Sequence, residues 1–226
     1  MTLALIPARA GSKGIKNKNL AMLGGHPLLF YSVEAAKRAK GIDKIVVSTD
    51  GEAIGDYARS IGAEVLRRPS ELAMDNTLSQ DVVSHALLAY ECDVLVLLQP
   101  TSPFRSSMDI DAALRIFEGR EATALLSVVP CDNKLLKAFL VGDDGCLKGV
   151  CNNEFPFMPR QTLPPTYHGN GAIYIVRRDE FLMAPSFCPP GTAFYVMDNM
   201  SSLDIDGEED LQRAREILDS GAFSFR

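Results

Sequence analysis

Asp93-Val94-Leu95-Val96-Leu97-Leu98 is the most apolar strand pattern in the chain. A strand with one wet face alternates apolar and polar residues, because successive side chains point to opposite sides. Five unbroken aliphatic residues leave no wet face. This strand is therefore expected to be covered on both sides, like the central strand of a parallel sheet.

The segments around it alternate between helix and strand patterns. Upstream, Val83, Leu87 and Tyr90 predict a helix over 77–90, and Leu29, Val33 and Ala36 predict one over 27–40. Strands are expected at 2–6, 44–49 and 63–66, with a helix over 52–61 closed by Gly62. Downstream come a helix over 110–118, strands at 122–129, 171–176 and 193–197, and a last helix over 208–219 with Leu211, Ala214 and Leu218 inward. Between them, 131–168 is rich in Pro, Asn, Asp and Gly, with one short strand-like piece at 138–141. That is too long for a bare loop, so it is expected to be an excursion with its own role, a flap or a dimer arm. The pattern predicts one α/β domain over 1–226: a mostly parallel open sheet between two helical layers, αβα.

With 226 residues, 46% hydrophobic and 23% charged, the chain has ordinary globular composition and enough length for a substantial core. Its five cysteines form no C-x-x-C pair or Cys/His cluster, which fits a reducing compartment and disfavours zinc. No apolar run approaches the ~20 residues that cross a bilayer, and the first residues enter a strand pattern directly; the expected location is the cytoplasm, with no membrane partner. A net charge of −6 disfavours nucleic acid as a partner. The charge is unevenly placed, however. The first acidic residue is Glu34, so Arg9, Lys13, Lys16 and Lys18 stand in an acid-free segment.

In open α/β sheets, ligands bind beyond the carboxyl ends of the strands where strand order reverses. Four expected strands end in unusual loops: Pro7 to Asn19, Asp50-Gly51, Gln99 to Arg105, and, via Asp198, Ser202 to Gly207. The first matches neither a Walker A loop nor G-x-G-x-x-G. Its glycines still let backbone N–H groups approach an anion, and its fixed cations neutralise one, so a polyphosphate is expected. Asp204 and Asp206, two apart on an extended segment, present their carboxylates to the same side and suit Mg²⁺ beside phosphates. Asp206 with Glu209 also forms a D-x-x-E capping box, and both roles stay open. His85 falls in a helical pattern and His26 beside a Gly-Gly turn, so neither marks a site. G-x-S-x-G and H-E-x-x-H are absent, and hydrolase readings lack local support.

Taken together, Ile6-Pro-Ala-Arg-Ala-Gly-Ser-Lys-Gly14 with Lys18-Asn19, Val47-Ser-Thr-Asp50, Arg68-Pro69, Leu98-Gln-Pro-Thr-Ser-Pro103 with Arg105, Pro159-Arg-Gln161, Asn170-Gly-Ala-Ile-Tyr174 and Asp204-Ile-Asp206 resemble the acylneuraminate cytidylyltransferases, the CMP-sialic acid synthetases. The blocks stand in the family's order and span essentially the whole chain. The resemblance implies a Rossmann-like nucleotide-diphospho-sugar transferase fold. It implies condensation of CTP with a nine-carbon 2-keto sugar acid, giving the CMP-sugar and pyrophosphate with Mg²⁺ as cofactor.

By the same resemblance, Arg9, Ser12, Lys13 and Lys18 correspond to the triphosphate loop, Asn19 and Arg68 lie near the nucleotide, and Ser79 near the ribose. Gln99, Lys137 and Arg160 fall where the family contacts the acceptor, and a guanidinium at 160 suits a carboxylate. Asp204 and Asp206 match the metal ligands. Arg9, Lys13 and Asp206 are the expected catalytic residues. The 131–168 excursion corresponds to a dimerisation arm reaching the partner's active site, so a homodimer is expected. Many relatives carry arginine where His168 stands, near Asn170. His168 is either a substitute acceptor contact or a loop residue, and the acceptor could be N-acetylneuraminate, legionaminate or pseudaminate. A cytidylyltransferase for 3-deoxy-manno-octulosonate is an enzymatic rival, although those usually carry an acidic residue where Gln99-Pro-Thr-Ser102 stands. A catalytically silent nucleotide-sugar sensor is the rival of another class.

Overall fold

The computed structural model describes residues 1–223; the last three residues of the expected 1–226 domain lie outside the described residues. Strand β1 (Thr2–Pro7) leads into a small hairpin, β2 (Met22–Leu23) and β3 (His26–Pro27). Helix α1 (Leu28–Arg38), β4 (Lys44–Thr49), α2 (Glu52–Ser60), β5 (Glu64–Arg67), α3 (Ser79–Ala89) and β6 (Val94–Leu97) then alternate. Helix α4 (Ser107–Gly119) and β7 (Ala124–Cys131) precede the arm hairpin, β8 (Phe139–Val141) with β9 (Leu147–Gly149). The chain finishes with β10 (Thr166–Arg177), α5 (Arg178–Met183), β11 (Ala193–Val196) and α6 (Glu208–Asp219).

Seven strands form one sheet in the order β11-β7-β10-β6-β1-β4-β5. Strand β1 pairs in parallel with both β4 and β6, so the chain builds outward through β4 and β5 and then returns to β1's other side. The order reverses between β1 and β6, which places the ligand crevice at their carboxyl ends. The run at 93–98 lies in the middle, as expected, and alternates between two cores. Leu95 and Leu97 meet Val83 and Leu87 of α3 and Phe181 of α5 on one face. On the other face, Val96 and Leu98 share a core with Leu29 and Val33 of α1, Ile54 of α2 and Phe117 of α4. Burying all of these side chains at about 25 cal/mol per Å² is what holds the three layers together. A third core beneath α6, with Leu23, Leu28, Phe104, Ile205 and Leu211, anchors the Asp204–Asp206 segment.

Three local expectations need correction. The strand expected at 171–176 begins at Thr166, runs antiparallel to both neighbours, and shifts register between Gly169 and Tyr174. Helix α4 starts at Ser107 because Ser106 and Asp109 form a reciprocal capping box, the Ser106 hydroxyl accepting from the Asp109 N–H while the Asp109 carboxylate accepts from the Ser106 N–H. The six-residue helix α5 was not foreseen; it is too short to show a periodic stripe.

The excursion at 131–168 is a real departure from the β–α rhythm. It holds β8, β9 and three short 3-10 turns at Asn133–Lys137, Phe155–Phe157 and Arg160–Thr162. Phe139, Leu140 and Val141 of β8, together with Leu147 and Phe157, all lie exposed.

Candidate active site

A cleft of about 450 Å³ opens at the carboxyl ends of β1 and β6, where strand order reverses. Its walls carry Arg9, Ser12, Lys13, Lys18 and Asn19 from the loop after β1, Arg68 after β5, Ser79 at the start of α3, Gln99 and Thr101 after β6, and Asp204 and Asp206 before α6. Residues expected to handle nucleotide, metal and acceptor thus converge from five separate segments.

The opening loop is held at several points. The Ala10 N–H donates to Asp50 Oδ1 at 2.8 Å, and the buried Asn19 amide donates to the Arg9 carbonyl at 2.9 Å. Asn19 therefore shapes the loop as well as lining the cleft. Lys18 Nζ donates to the Ile205 carbonyl and to Asp206 Oδ1, both at 3.0 Å, tying the loop to the Asp-x-Asp segment. A Cβ at Gly14 would lie 2.2 Å from the Asp206 carbonyl oxygen, so only glycine allows this approach. Lys16 is exposed and does not line the cleft.

Arg68 is buried, its guanidinium donating to Ser48 Oγ at 3.0 Å and to the Ser48 carbonyl at 2.7 Å. Burial lowers its pKa to about 10, with Asp50 opposing and Arg9 reinforcing the shift, so it stays cationic at neutral pH. Arg9 and Lys13 meet a partner that no motif announced. Asp75 places Oδ1 2.7 Å from Arg9 Nη1 and Oδ2 2.6 Å from Lys13 Nζ.

The acidic pair suits a hard cation. Asp204 Oδ1 is buried and has no hydrogen-bond partner among the described residues. Burial pushes the Asp204 carboxyl up; Thr101 and Lys18 oppose the shift, while the charges of Asp206 and Asp210 add to it. A cation touching both carboxylates would relieve that repulsion and satisfy the orphaned oxygen. Among the described residues no third His, Cys, Asp or Glu joins them, so these two carboxylates are the acidic groups that would hold the ion. The capping alternative for Asp206 is corrected. Asp210 Oδ2 accepts from the N–H groups of Asp206 and Gly207 at 3.0 and 2.9 Å, leaving the Asp206 carboxylate to Lys18 and the cleft.

The expected acceptor residues do not gather in the cleft. Gln99 alone among them lines the cleft. Its carbonyl accepts from Ser32 Oγ at 3.1 Å and from the buried Arg105 at 3.3 Å. Its side chain lies against Gly171, whose φ of +74° and lack of a Cβ leave room for it. Arg160 lines a separate hollow at the base of the arm and pairs with Asp132 at 3.2 Å. Lys137 lies partly exposed on the first 3-10 turn of the arm, and His168 lies exposed on β10 opposite Val129; neither lines the cleft. Asn170 is buried, and its amide is used internally: Oδ1 accepts from Ser127 Oγ at 2.5 Å and Nδ2 donates to Ser202 Oγ at 2.8 Å. It braces β10 against the loop that leads to Asp204.

The fold and this cleft define an α/β protein with an open cleft at the switch point of a mostly parallel sheet. A family model described as cytidylyltransferase matches residues 3–136, and the chain belongs to the cytidylyltransferase family. Over 216 residues the chain is 38% identical to an N-acylneuraminate cytidylyltransferase of Escherichia coli O18:K1:H7, covering 95% of this chain and 51% of that protein. It is 35% identical to the CMP-N,N'-diacetyllegionaminic acid synthase of Campylobacter jejuni, covering 93% and 92%. The chain therefore spans about half the length of the N-acylneuraminate cytidylyltransferases it matches in E. coli and Streptococcus agalactiae. A solved CMP:2-keto-3-deoxy-manno-octonic acid synthetase complexed with CTP shares the fold at a TM-score of 0.74 and 16% identity, covering 97% of this chain and 99% of that one.

Proposed function

We propose that this protein transfers CMP from CTP to the anomeric hydroxyl of sialic acid or a related nine-carbon 2-keto sugar acid, releasing pyrophosphate. The observation that carries the reading is the meeting of Arg9, Ser12, Lys13 and Lys18 with Asp204 and Asp206 in one cleft at the switch point. The acceptor hydroxyl attacks the α-phosphorus, forming a P–O bond as the bond to the β-phosphate oxygen breaks; the hydroxyl proton is lost and pyrophosphate leaves. Arg9, Lys13 and Lys18 hold the phosphates and offset charge on the departing group, with Arg9 and Lys13 also acting catalytically. Arg68 and Asn19 set the nucleotide side of the cleft, Ser79 serves the ribose, and Gln99 faces the acceptor. Asp204 and Asp206 would hold Mg²⁺, which would supply charge neutralisation for the phosphates and the departing pyrophosphate. Preorganised groups of this kind commonly contribute on the order of 10²–10³ in rate each.

The arm supports a homodimer, because its exposed apolar strand β8 needs cover. Arg160, with Lys137 and His168, would then reach the acceptor in the partner's cleft. The proposed location is the cytoplasm, where CTP is available.

A diacetylated legionaminate is the second acceptor reading. Its support is coverage: the match to the C. jejuni synthase takes in 92% of that protein, whereas the E. coli match takes in 51%. Pyrophosphate release from CTP, measured with N-acetylneuraminate, N,N'-diacetyllegionaminate, pseudaminate and 3-deoxy-manno-octulosonate in parallel, decides among them. A preference for a nine-carbon acid supports the proposal. Turnover confined to the octulosonate would overturn it, and CTP binding without turnover on any acceptor would favour the silent sensor.

A further inference from the structure

Asp75 bridges the two cations that the proposed reaction needs most, with one carboxylate oxygen on Arg9 and the other on Lys13. Lys13 first and Arg9 second hold its carboxyl below the ordinary range, so it is ionised throughout the neutral range. Arg9 Nη1 also donates to the Ala73 carbonyl at 3.4 Å, so the guanidinium grips this segment twice. The segment is built to present the group. After the 3-10 turn Ser70–Leu72, the Thr77 N–H donates to the Met74 carbonyl at 3.2 Å, closing a turn that points Asp75 into the cleft that Leu72 and Met74 also line.

A carboxylate offers an arginine and a lysine the same thing a phosphate does: two anionic oxygens a short distance apart. The N–H groups that face Asp75 cannot at the same time face a phosphate oxygen. We propose that Asp75 is an internal competitor for the phosphate-binding cations. Its carboxylate is exchanged for phosphate oxygens when a polyphosphate enters, and returns to Arg9 and Lys13 as pyrophosphate leaves. The inference rests on the CTP reading above and adds to it a positioning residue and a route for product release. Cations that hold a triphosphate tightly also hold pyrophosphate tightly, and a carboxylate waiting beside them weakens both. The opposite role, a third carboxylate added to the cation site, would make Asp75 strengthen phosphate binding.

Calorimetric titration with inorganic pyrophosphate in magnesium-free buffer, repeated with CTP, separates these roles. Asp75→Asn keeps the side chain's shape and removes its charge; Asp75→Ser repeats the test without an amide. Glu71→Gln makes the same charge change on a neighbouring exposed carboxylate that touches neither cation. Pyrophosphate binding about threefold tighter or more in both Asp75 variants, and unchanged in Glu71→Gln, supports the proposal. A lower KM for CTP and stronger inhibition by pyrophosphate should accompany it, which lost structure would not produce. Equal or weaker pyrophosphate binding in the Asp75 variants overturns it. If wild type binds CTP but removing the charge at 75 tightens nothing, this inference fails and the CTP reading stands. If pyrophosphate tightens while CTP binds none of the proteins, the CTP reading fails and the competition at Arg9 and Lys13 stands.

Discussion

Gly14 and Asp206 lie so close that a Cβ on the glycine would stand 2.2 Å from the aspartate's carbonyl oxygen. The loop after β1 and the acidic pair are thereby set in fixed register, 192 residues apart in the chain. Gly14→Ala must push one backbone away from the other. Ile15 and Ile205, the chain neighbours of Gly14 and Asp206, share the third core, so the variant should lose about 1–3 kcal/mol of stability while turnover falls on the order of 10²-fold. Thermal melting and steady-state kinetics on the same sample check this.

Asp204 and Asp206 should part company in stability. Burial and the charges of Asp206 and Asp210 raise the Asp204 pKa, so its ionised form opposes folding. That penalty is absent below its ordinary pKa and grows as pH rises through the raised value. Asp204→Asn should therefore raise Tm near neutral pH, with the gain shrinking as the pH is lowered through the acid range. Added Mg²⁺ should raise the wild-type Tm and leave that of Asp204→Asn unmoved. Asp206→Asn should lose Mg²⁺-dependent turnover with little change in Tm, because the cap on α6 belongs to Asp210. Asp210→Ala should cost about 1 kcal/mol instead. Differential scanning calorimetry across pH, with and without Mg²⁺, measures the three stabilities, and steady-state kinetics at varied Mg²⁺ measures the loss of turnover.

Arg105 is fully buried and donates to the Ala172 carbonyl at 2.8 Å, the Gln99 carbonyl at 3.3 Å and Ser32 Oγ at 2.6 Å. It joins α1, the loop after β6 and β10 around the Gln99 backbone. A lysine ammonium cannot span these acceptors. Arg105→Lys should destabilise by roughly 3 kcal/mol and raise KM for the acceptor more than for CTP. Urea denaturation and two-substrate kinetics test the two parts separately.

Much of this was legible in the sequence where one signal dominated. The 93–98 run has no polar position, and its two-faced cover follows from that. The bounds expected for 44–49 and 208–219 match β4 and α6, because β-branched residues fill the first and a charged first turn opens the second. The antiparallel course of β10 was hidden: a buried apolar strand reads alike in either direction, and only pairing with β6 and β7 sets its sense. At the site, the cations and the Asp-x-Asp pair stood out by charge and spacing. Asp75 did not, since a lone aspartate in a turn carries no pattern until folding brings Arg9 and Lys13 to it. Asn170 fell in a matching block, yet its amide braces β10 from within.

The arm makes a prediction that a monomer could not satisfy. In the chain itself Arg160 lies apart from the cleft, at the base of the arm. If it completes the partner's site, Lys13→Ala and Arg160→Ala homodimers should both be nearly inactive, and their mixed dimer should hold one intact cleft. Unfolding and refolding equal amounts together should restore about a quarter of wild-type turnover, the statistical share of intact sites in a two-fold dimer. Sedimentation should show a dimer, and Phe157→Asp should weaken it.

A nucleoside triphosphate held by Arg9, Lys13 and Lys18 is expected to lose its CMP portion to a keto-sugar acid. Phosphorus NMR on reactions containing CTP, UTP, ATP or GTP with a nine-carbon keto-sugar acid and Mg²⁺ tests it most directly. CTP alone should give inorganic pyrophosphate and an equal amount of a one-phosphorus diester, and Lys13→Ala, folded normally, should do so at least about tenfold more slowly. Consumption of UTP or ATP but never CTP, or release of orthophosphate in place of pyrophosphate, would contradict it.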